Sequence, residues 1–236
     1  MTAANDTSLA PLKGISSMAT RLVLADLVDA FSQRSGDRAD IESVGGVDAA
    51  KRVQAGEAFD VVILASDAID KLIAGGHLQA GSRVDLVRSG VAVAVREGAP
   101  VPDISSEDAL RQAVLAARTL SYSTGPSGVA LQKLFERWGI AEQIASRIVQ
   151  PPPGIPVGSL VAKGEVELGF QQLSELLHVP GITLVGPLPP EVQITTIFSA
   201  GLPVATPHAT RVRAMLNFMT SDEATEAKRR QGMDPA

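Results

Sequence analysis

Short apolar runs alternate with longer segments of helical periodicity, and this alternation restricts the possible folds more than any other feature of the chain. The clearest short run covers residues 59–65, Phe-Asp-Val-Val-Ile-Leu-Ala, which is typical of a strand covered on both faces. The clearest helical pattern starts near Ser17, with apolar residues at steps of three and four, and ends at Gly36. Strands that alternate with helices predict an α/β fold with a mainly parallel sheet.

The same pattern recurs as four strand-to-helix turns of one kind. In each, a short apolar run leads directly into a segment with helical spacing. The predicted pairs are a strand ending at 14–15 with a helix from 17, strand 41–44 with helix 47–55, strand 59–65 with helix 68–74, and strand 119–122 with a helix that begins near Pro126.

Residues 84–96 are rich in valine and largely alternating, which predicts a strand that crosses between two lobes. Residues 194–198 are predicted to form a strand that returns to the first lobe, followed by helices at 208–218 and 222–231. The proline-rich segment 151–154 is predicted to be a loop. We therefore expect a first lobe from 1–84 plus 193–236 and a second from 85–192.

Composition excludes several kinds of partner. The 236 residues are 45% apolar, which is enough for a substantial core. A net charge of −5 and only 3% aromatic residues argue against nucleic acid as a partner. No apolar run approaches the ~18 residues of a membrane span. The absence of cysteine excludes thiol nucleophiles and disulfides. We expect a monomer.

Residues 1–6 have neither the basic nor the apolar part of a secretion signal. Two interpretations stay open, a cytoplasmic protein or a periplasmic protein whose signal has been replaced by an initiating Met. We favour the periplasmic one.

Several catalytic motifs are absent. The sequence has no phosphate loop, dinucleotide glycine fingerprint, HExxH or Gly-x-Ser-x-Gly elbow. The three histidines are far apart, so metal ligation is not expected. We therefore predict neither a cofactor nor a metal.

The first strand-to-helix turn carries the main positive signal, Gly-Ile-Ser-Ser-Met-Ala-Thr-Arg at 14–21. A helix that starts after the strand leaves unpaired N–H donors beside the hydroxyls of Ser16 and Ser17, which is a favourable site for an anion. Arg21, one turn further, could reach the same anion or lie in solvent. The alternative is that Ser16 or Ser17 is only an N-cap.

Three further turns have the same character. The segment 121–128, Ser-Tyr-Ser-Thr-Gly-Pro-Ser-Gly, combines hydroxyls and glycines with a proline placed for a first helical turn. Each turn could equally be a simple tight turn or cap, and Asp67 is read as the cap of its own helix. Turns at the carboxyl ends of successive strands nevertheless suit a ligand crevice. The candidate residues in these turns are Ser123, Thr124, Ser127, Gly128, Gly45, Gly46 and Ser66.

These turns, the block Val-Ala-Lys-Gly-Glu-Val-Glu-Leu-Gly-Phe at 161–170 and the ending Asn-Phe-Met-Thr-Ser-Asp-Glu-Ala at 217–224 resemble the molybdate-type solute-binding proteins of ABC transporters. The resemblance implies a two-lobed periplasmic-binding fold. It implies a ligand held by Ser16, Ser17 and the Gly45 turn on one side, and by residues 124–128 and 170–172 on the other.

Gln171 and Gln172 stand where that family commonly has a tyrosine, and with Arg21 these amides suit planar carboxylates at least as well as a tetrahedral oxyanion. The chain is also similar to aconitate isomerases, through 14–21 and Leu-Gly-Phe-Gln-Gln-Leu-Ser-Glu at 168–175. That resemblance implies an allylic proton shift, which needs a base and hydrogen-bond donors but no cofactor. The candidate bases are Asp48, Asp67, Tyr122 and Glu175.

Two functional hypotheses follow. The first is the binding of a small anion, an organic polycarboxylate or an oxyanion, by a receptor that serves an ABC transporter permease. The second is a cofactor-independent aconitate isomerase on the same fold. We rank binding first because no catalytic dyad stands out.

Overall fold

The computed structural model describes residues 9–152 and 154–236. The expectations for the leader, for residues 1–8 of the first lobe and for Pro153 lie outside these residues. The strands are β1 Leu12–Ser17, β2 Ala39–Val44, β3 Val61–Ala65, β4 Val84–Arg96, β5 Leu120–Tyr122, β6 Leu168–Gln172, β7 Ile182–Pro187, β8 Thr195–Gly201 and β9 Asp234–Pro235.

Helices flank these strands, and short 3-10 turns lie at Met18–Thr20, Ala145–Arg147, Pro190–Val192 and Asp222–Ala224. The α-helices are α1 Arg21–Ser35, α2 Gly46–Gln54, α3 Ser66–Ala74, α4 Glu107–Ala116, α5 Pro126–Arg137, α6 Ala141–Ile144, α7 Val157–Ala162, α8 Leu173–Leu176, α9 Ala209–Met219 and α10 Thr225–Arg230.

The strands pair in the order β2-β1-β3-β8-β4-β6-β5, with β7 and β9 also paired to β4. β1 is parallel to β2 and β3, and β5 is parallel to β6. The pairs made by β4 and the pair between β3 and β8 are antiparallel. The predicted α/β class is confirmed, and the strands that join the two parts of the sheet add the antiparallel pairs.

The 13-residue strand β4 joins two sheets. From Val84 to Gly90 it pairs with β8, and from Val91 onward it pairs with β6 and β7. The predicted crossing strand at 84–96 is therefore confirmed. The expected lobe boundaries at 84/85 and 192/193 stay a prediction, since β4 itself takes part in both sheets.

Each sheet has its own hydrophobic core. In the first sheet, alternate residues of β1 and β3 face α1 and α9 on one side and α2 and α3 on the other. The second sheet packs mainly against α4, α5 and α6, with a smaller cluster under α7. All five residues of β3 are buried, as its continuous apolar run predicts. Within the described chain, no helix combines the length and apolar character needed to cross a membrane.

The helix predicted from Ser17 begins four residues later than expected. Ser17 keeps an extended conformation, and Thr20 Oγ1 donates a hydrogen bond to the Ser17 carbonyl at 2.9 Å, which stabilises the 3-10 turn Met18–Thr20. The α-helix starts at Arg21 and ends, as predicted, at Gly36, whose φ of 73° suits a residue without a Cβ.

Helix α4 was not predicted, although Ser106 is a regular N-cap whose side chain accepts a hydrogen bond from the Ala109 N–H at 3.2 Å. The described residues of the proline-rich segment, Pro151, Pro152 and Gly154, form a loop as expected.

Gly169 tests how tightly α7 packs on the second sheet. A Cβ at this position would lie 2.4 Å from Val161 Cγ2 and 2.9 Å from Val157 Cγ1, so Gly169→Ala forces α7 away from β6. We expect a loss of about 2 kcal/mol in the free energy of unfolding, measured by urea denaturation. Gly46→Ala is the matched control because nothing lies within 3.4 Å of its Cβ. Equal stability of the two variants would contradict this packing.

Candidate functional site

The carboxyl ends of the parallel strands face each other across the crossing point of β4. Ala65 at the end of β3 pairs with Phe198, which pairs with Val87. Four residues along β4, Val91 pairs with Gln172 at the end of β6. Four residues of extended strand cover about 13 Å. This distance suits a small ligand, and the space between the two strand ends is called the cleft below.

The first turn leaves one serine hydroxyl free on the cleft side. Ser16 is fully buried, and its Oγ lies 2.8 Å from Ser43 Oγ, which ties β1 to β2. Ser17 is partly exposed, makes no side-chain capping bond and has no hydrogen bond through its Oγ within the described chain. Ser17 therefore stands at the N-cap position of the 3-10 turn, but its side chain does not cap that turn.

The turns before α2 and α3 lie on the same edge of the first sheet. A Cβ on Gly46 would lie 3.7 Å from Ser17 Oγ, so the first turn and the start of α2 are in contact. Gly45 is the N-cap of α2 and Ser66 is the first residue of α3, with no side-chain cap at either helix. The N–H groups of both first turns have no acceptor inside their helices.

The turn before α5 lies on the other side of the cleft. Ser123 Oγ and Ser127 Oγ are 3.1 Å apart, Thr124 is exposed, and Pro126 begins the helix. A Cβ on Gly128 would lie 1.6 Å from the Ser123 carbonyl oxygen. Only glycine fits there, because the backbone of the turn folds directly onto α5.

Gln172 is part of a polar group at the crossing point itself. Its Nε2 donates a hydrogen bond to Thr196 Oγ1 at 2.9 Å, and Ser89 pairs with Thr196 across β4 and β8. Gln172 Oε1 and Ser89 Oγ are buried without a partner among the described residues. Thr196 and Ser89 were not identified from the sequence. Thr196 lies two residues before the core residue Phe198 and therefore on the same face of β8.

Gln171 points to the opposite face of β6 and connects α7 to α8. Its Oε1 accepts the Gly158 N–H at 3.1 Å, and its Nε2 donates to Glu175 Oε1 at 2.9 Å. Burial raises the pKa of Glu175 to about 7, while the Gln171 amide opposes this rise. Phe170, the residue before Gln171, is fully buried and packs against Phe135 in the second core.

Helix α8 lies against the turn Met18–Thr20, which follows β1 of the first sheet. Ser174 Oγ donates a buried hydrogen bond to the Ala19 carbonyl at 2.9 Å. This contact holds the helix that carries Glu175 close to the turn that follows Ser17. Ser174 was missed in the sequence because its partner is 155 residues away.

The remaining candidates lie further out. Arg21 is exposed and lines a separate hollow between α1 and β2. Asp67 was expected to cap α3. It lies instead in the first turn of that helix and forms an exposed ion pair with Lys71. Asp48 is exposed on α2.

Burial raises the pKa of Tyr122, which packs edge-on against Phe135. Among the described residues no cluster of three or more His, Asp or Glu side chains could hold a metal.

The architecture is that of the two-lobed periplasmic-binding proteins. The chain superposes on the periplasmic molybdate-binding protein of Azotobacter vinelandii with a TM-score of 0.79, at 19% identity over 95% of this chain and 99% of that one. The tungstate-binding protein TupA of Desulfovibrio alaskensis gives a TM-score of 0.70, at 15% identity over 96% and 99%. These likenesses establish the fold.

The sequence profile of the bacterial extracellular solute-binding proteins matches residues 12–234, and the chain belongs to this family. A curated relative, an aconitate isomerase from a Pseudomonas species, is 38% identical over 218 residues, which cover 90% of this chain and 83% of the relative. The suspected family is therefore confirmed.

Gly128→Ala tests the turn before α5. The added methyl group overlaps the Ser123 carbonyl, so the turn must open. We expect a loss of about 3 kcal/mol in the free energy of unfolding, measured by urea denaturation. Val129→Ala is the control, since Val129 is 49% exposed and should change stability by less than about 0.5 kcal/mol. A Gly128→Ala variant as stable as this control would refute the described turn.

Proposed function

We propose that this chain is a cofactor-independent isomerase that interconverts cis- and trans-aconitate in the cleft. The observation that carries the proposal is the 38% identity with an aconitate isomerase over 90% of the chain. Identity at this level extends over 90% of the chain rather than over a single motif.

The chemistry of the cleft supports a small polycarboxylate as the ligand. Its candidate donors are neutral: the free Ser17 hydroxyl, the Ser66 and Thr124 side chains, and N–H groups of helical first turns. Several neutral donors from both sides can share the charge of three carboxylates without a cationic pocket. In this proposal Ser16, Gly45, Ser123, Ser127 and Gln172 position these groups, whereas Arg21, which lines a separate hollow, takes no part.

The proposed reaction is an allylic proton shift. A base removes a proton from the methylene carbon of aconitate, the released electron pair makes the adjacent carbon–carbon single bond double, and the electrons of the original double bond move onto the carboxylate of the vinylic carbon to give a dienolate. The proton then returns to the carbon that was the vinylic CH, so the double bond is displaced and no atom is gained or lost. Hydrogen-bond donors in the cleft stabilise the dienolate charge.

Solute binding without turnover is the second candidate, favoured by the match of residues 12–234 to a family of extracellular solute-binding proteins. In this case the chain is a periplasmic receptor that delivers a small anion to an ABC transporter permease as a monomer. The cytoplasmic alternative goes with the isomerase. The two candidates share the cleft and its ligand class and differ in whether the bound molecule reacts.

Turnover separates the two candidates. Protein treated with EDTA is incubated with cis-aconitate and, separately, with trans-aconitate, and both reactions are followed by absorbance and by proton NMR. We expect the two reactions to reach the same final mixture. Heat-denatured protein and the Gly128→Ala variant are the controls. Absence of interconversion at high protein concentration, with binding intact, would favour the receptor.

Ligand class is tested by thermal shift with aconitate, citrate, the saturated analogue propane-1,2,3-tricarboxylate, molybdate, tungstate and sulfate. At equal ligand concentrations we expect the tricarboxylates to stabilise the protein most. A ligand present at 100 times its dissociation constant adds about 2.7 kcal/mol to the free energy of unfolding. Stronger stabilisation by molybdate or sulfate would reject the tricarboxylate assignment and leave an oxyanion receptor.

A further inference from the structure

We propose that Glu175 is the base that carries the proton between the two carbons of aconitate, an assignment that rests on the isomerase function proposed above. The argument depends on where α8 lies, on the partners of the carboxyl group and on the exposure of the competing acidic residues.

The position of α8 places Glu175 beside the cleft. The helix begins directly after Gln172, the last residue of β6, where the carboxyl edge of the second sheet meets the crossing point of β4. Ser174 is bonded to the Ala19 carbonyl in the turn that follows Ser17. The helix that carries Glu175 therefore lies between the end of β6 and the turn Met18–Thr20, and the carboxyl group itself is bonded to Gln171.

The carboxyl group of Glu175 is anchored on one side only. Its Oε1 accepts the Gln171 amide at 2.9 Å, and Gln171 is in turn fixed by the Gly158 N–H. No other hydrogen bond or ion pair to Glu175 occurs within the described chain. A fixed carboxylate with one unoccupied oxygen is the arrangement that proton transfer to and from carbon requires.

The surroundings of Glu175 keep its proton affinity high. Burial raises the pKa of this carboxyl to about 7, and the Gln171 hydrogen bond is the only influence that lowers it. β6 and α7 carry no charged residue, and the turn Met18–Thr20 has none. The charged residues of β4 are Asp85, Arg88 and Arg96, and none of them contributes to the shift.

The competing acidic residues lack this environment. Asp48 is exposed on the first turn of α2, and Asp67 is exposed and paired with Lys71. A solvated or ion-paired carboxylate is a weak base toward a carbon acid. Near neutral pH, Glu175 can both accept the methylene proton as a carboxylate and return it as a carboxylic acid to the former vinylic carbon.

The first test removes the proton acceptor with little change in shape. For Glu175→Gln we expect the isomerisation rate to fall at least 100-fold, while propane-1,2,3-tricarboxylate binds within about threefold of its wild-type affinity by calorimetry. In D2O, the wild type should incorporate deuterium into aconitate whenever the proton on Glu175 exchanges with solvent before its return to carbon, and the variant should not. Glu165→Gln is the matched control, since Glu165 is exposed in the same part of the chain. Deuterium incorporation by Glu175→Gln at the wild-type rate would overturn the assignment.

The second test uses pH. Because the carboxylate form is the base, kcat/KM of the wild type should rise with pH through about 7 and then level off. Gln171→Met removes the hydrogen bond that lowers the pKa of Glu175, so this rise should move to higher pH. A pH profile that is identical in the wild type and Gln171→Met would contradict the role of Glu175.

The third test measures stability, which a purely structural role would affect in the opposite direction. A carboxyl whose pKa is raised on folding stabilises the protein below its unfolded pKa and loses this contribution as pH rises toward the folded value. Glu175→Gln should therefore melt at a higher temperature than the wild type at pH 8 and at about the same temperature at pH 4. A lower melting temperature of the variant at pH 8 would identify Glu175 as a structural residue.

These outcomes separate the two proposals. A wild type that binds tricarboxylates without turnover or deuterium incorporation removes the isomerase, and the assignment of Glu175 with it. A wild type that isomerises aconitate, together with an active Glu175→Gln variant, removes only the assignment of Glu175.

Discussion

The pairing of β4 on both halves of its length is the constraint on which the rest of the structure depends. A strand of 13 residues that exchanges β8 for β6 and β7 at Gly90 and Val91 must supply two separate cores with alternating apolar side chains. The register of these pairs also sets the spacing between the carboxyl ends of the two groups of parallel strands. Cleft width and core formation are thus determined by the same hydrogen bonds.

The chain as a whole carries a net negative charge, whereas the candidate hydrogen-bond donors in the cleft are neutral. A net charge of −5 offers no long-range attraction to an anion, so binding relies on hydroxyl and N–H groups at short distance. Neutral donors also leave the Glu175 carboxyl without a nearby cation. A cationic pocket would hold a tricarboxylate more tightly but would lower the pKa of this carboxyl and weaken it as a base.

Local features of the fold could be predicted from the sequence, and non-local ones could not. The buried strand β3, the crossing strand β4 and the end of α1 at Gly36 follow from apolar periodicity and backbone preference. The late start of α1 was missed because the Thr20 hydrogen bond stabilises a 3-10 turn, which has no distinct apolar period. Glu175 was one of four candidate bases, since its burial arises from contacts that sequence spacing does not reveal.

Helix α8 and His178, two residues beyond it, are hydrogen-bonded to elements that accompany the first sheet. Ser174 is bonded to the Ala19 carbonyl, and His178 contacts Gln231, which donates a hydrogen bond to Asp26 of α1. Glu175 of the same helix accepts a hydrogen bond from Gln171 of β6, so α8 is fastened to both sheets. A rotation of one sheet against the other would therefore strain either the hydrogen bond of Ser174 to the Ala19 carbonyl or that of Glu175 to Gln171 of β6.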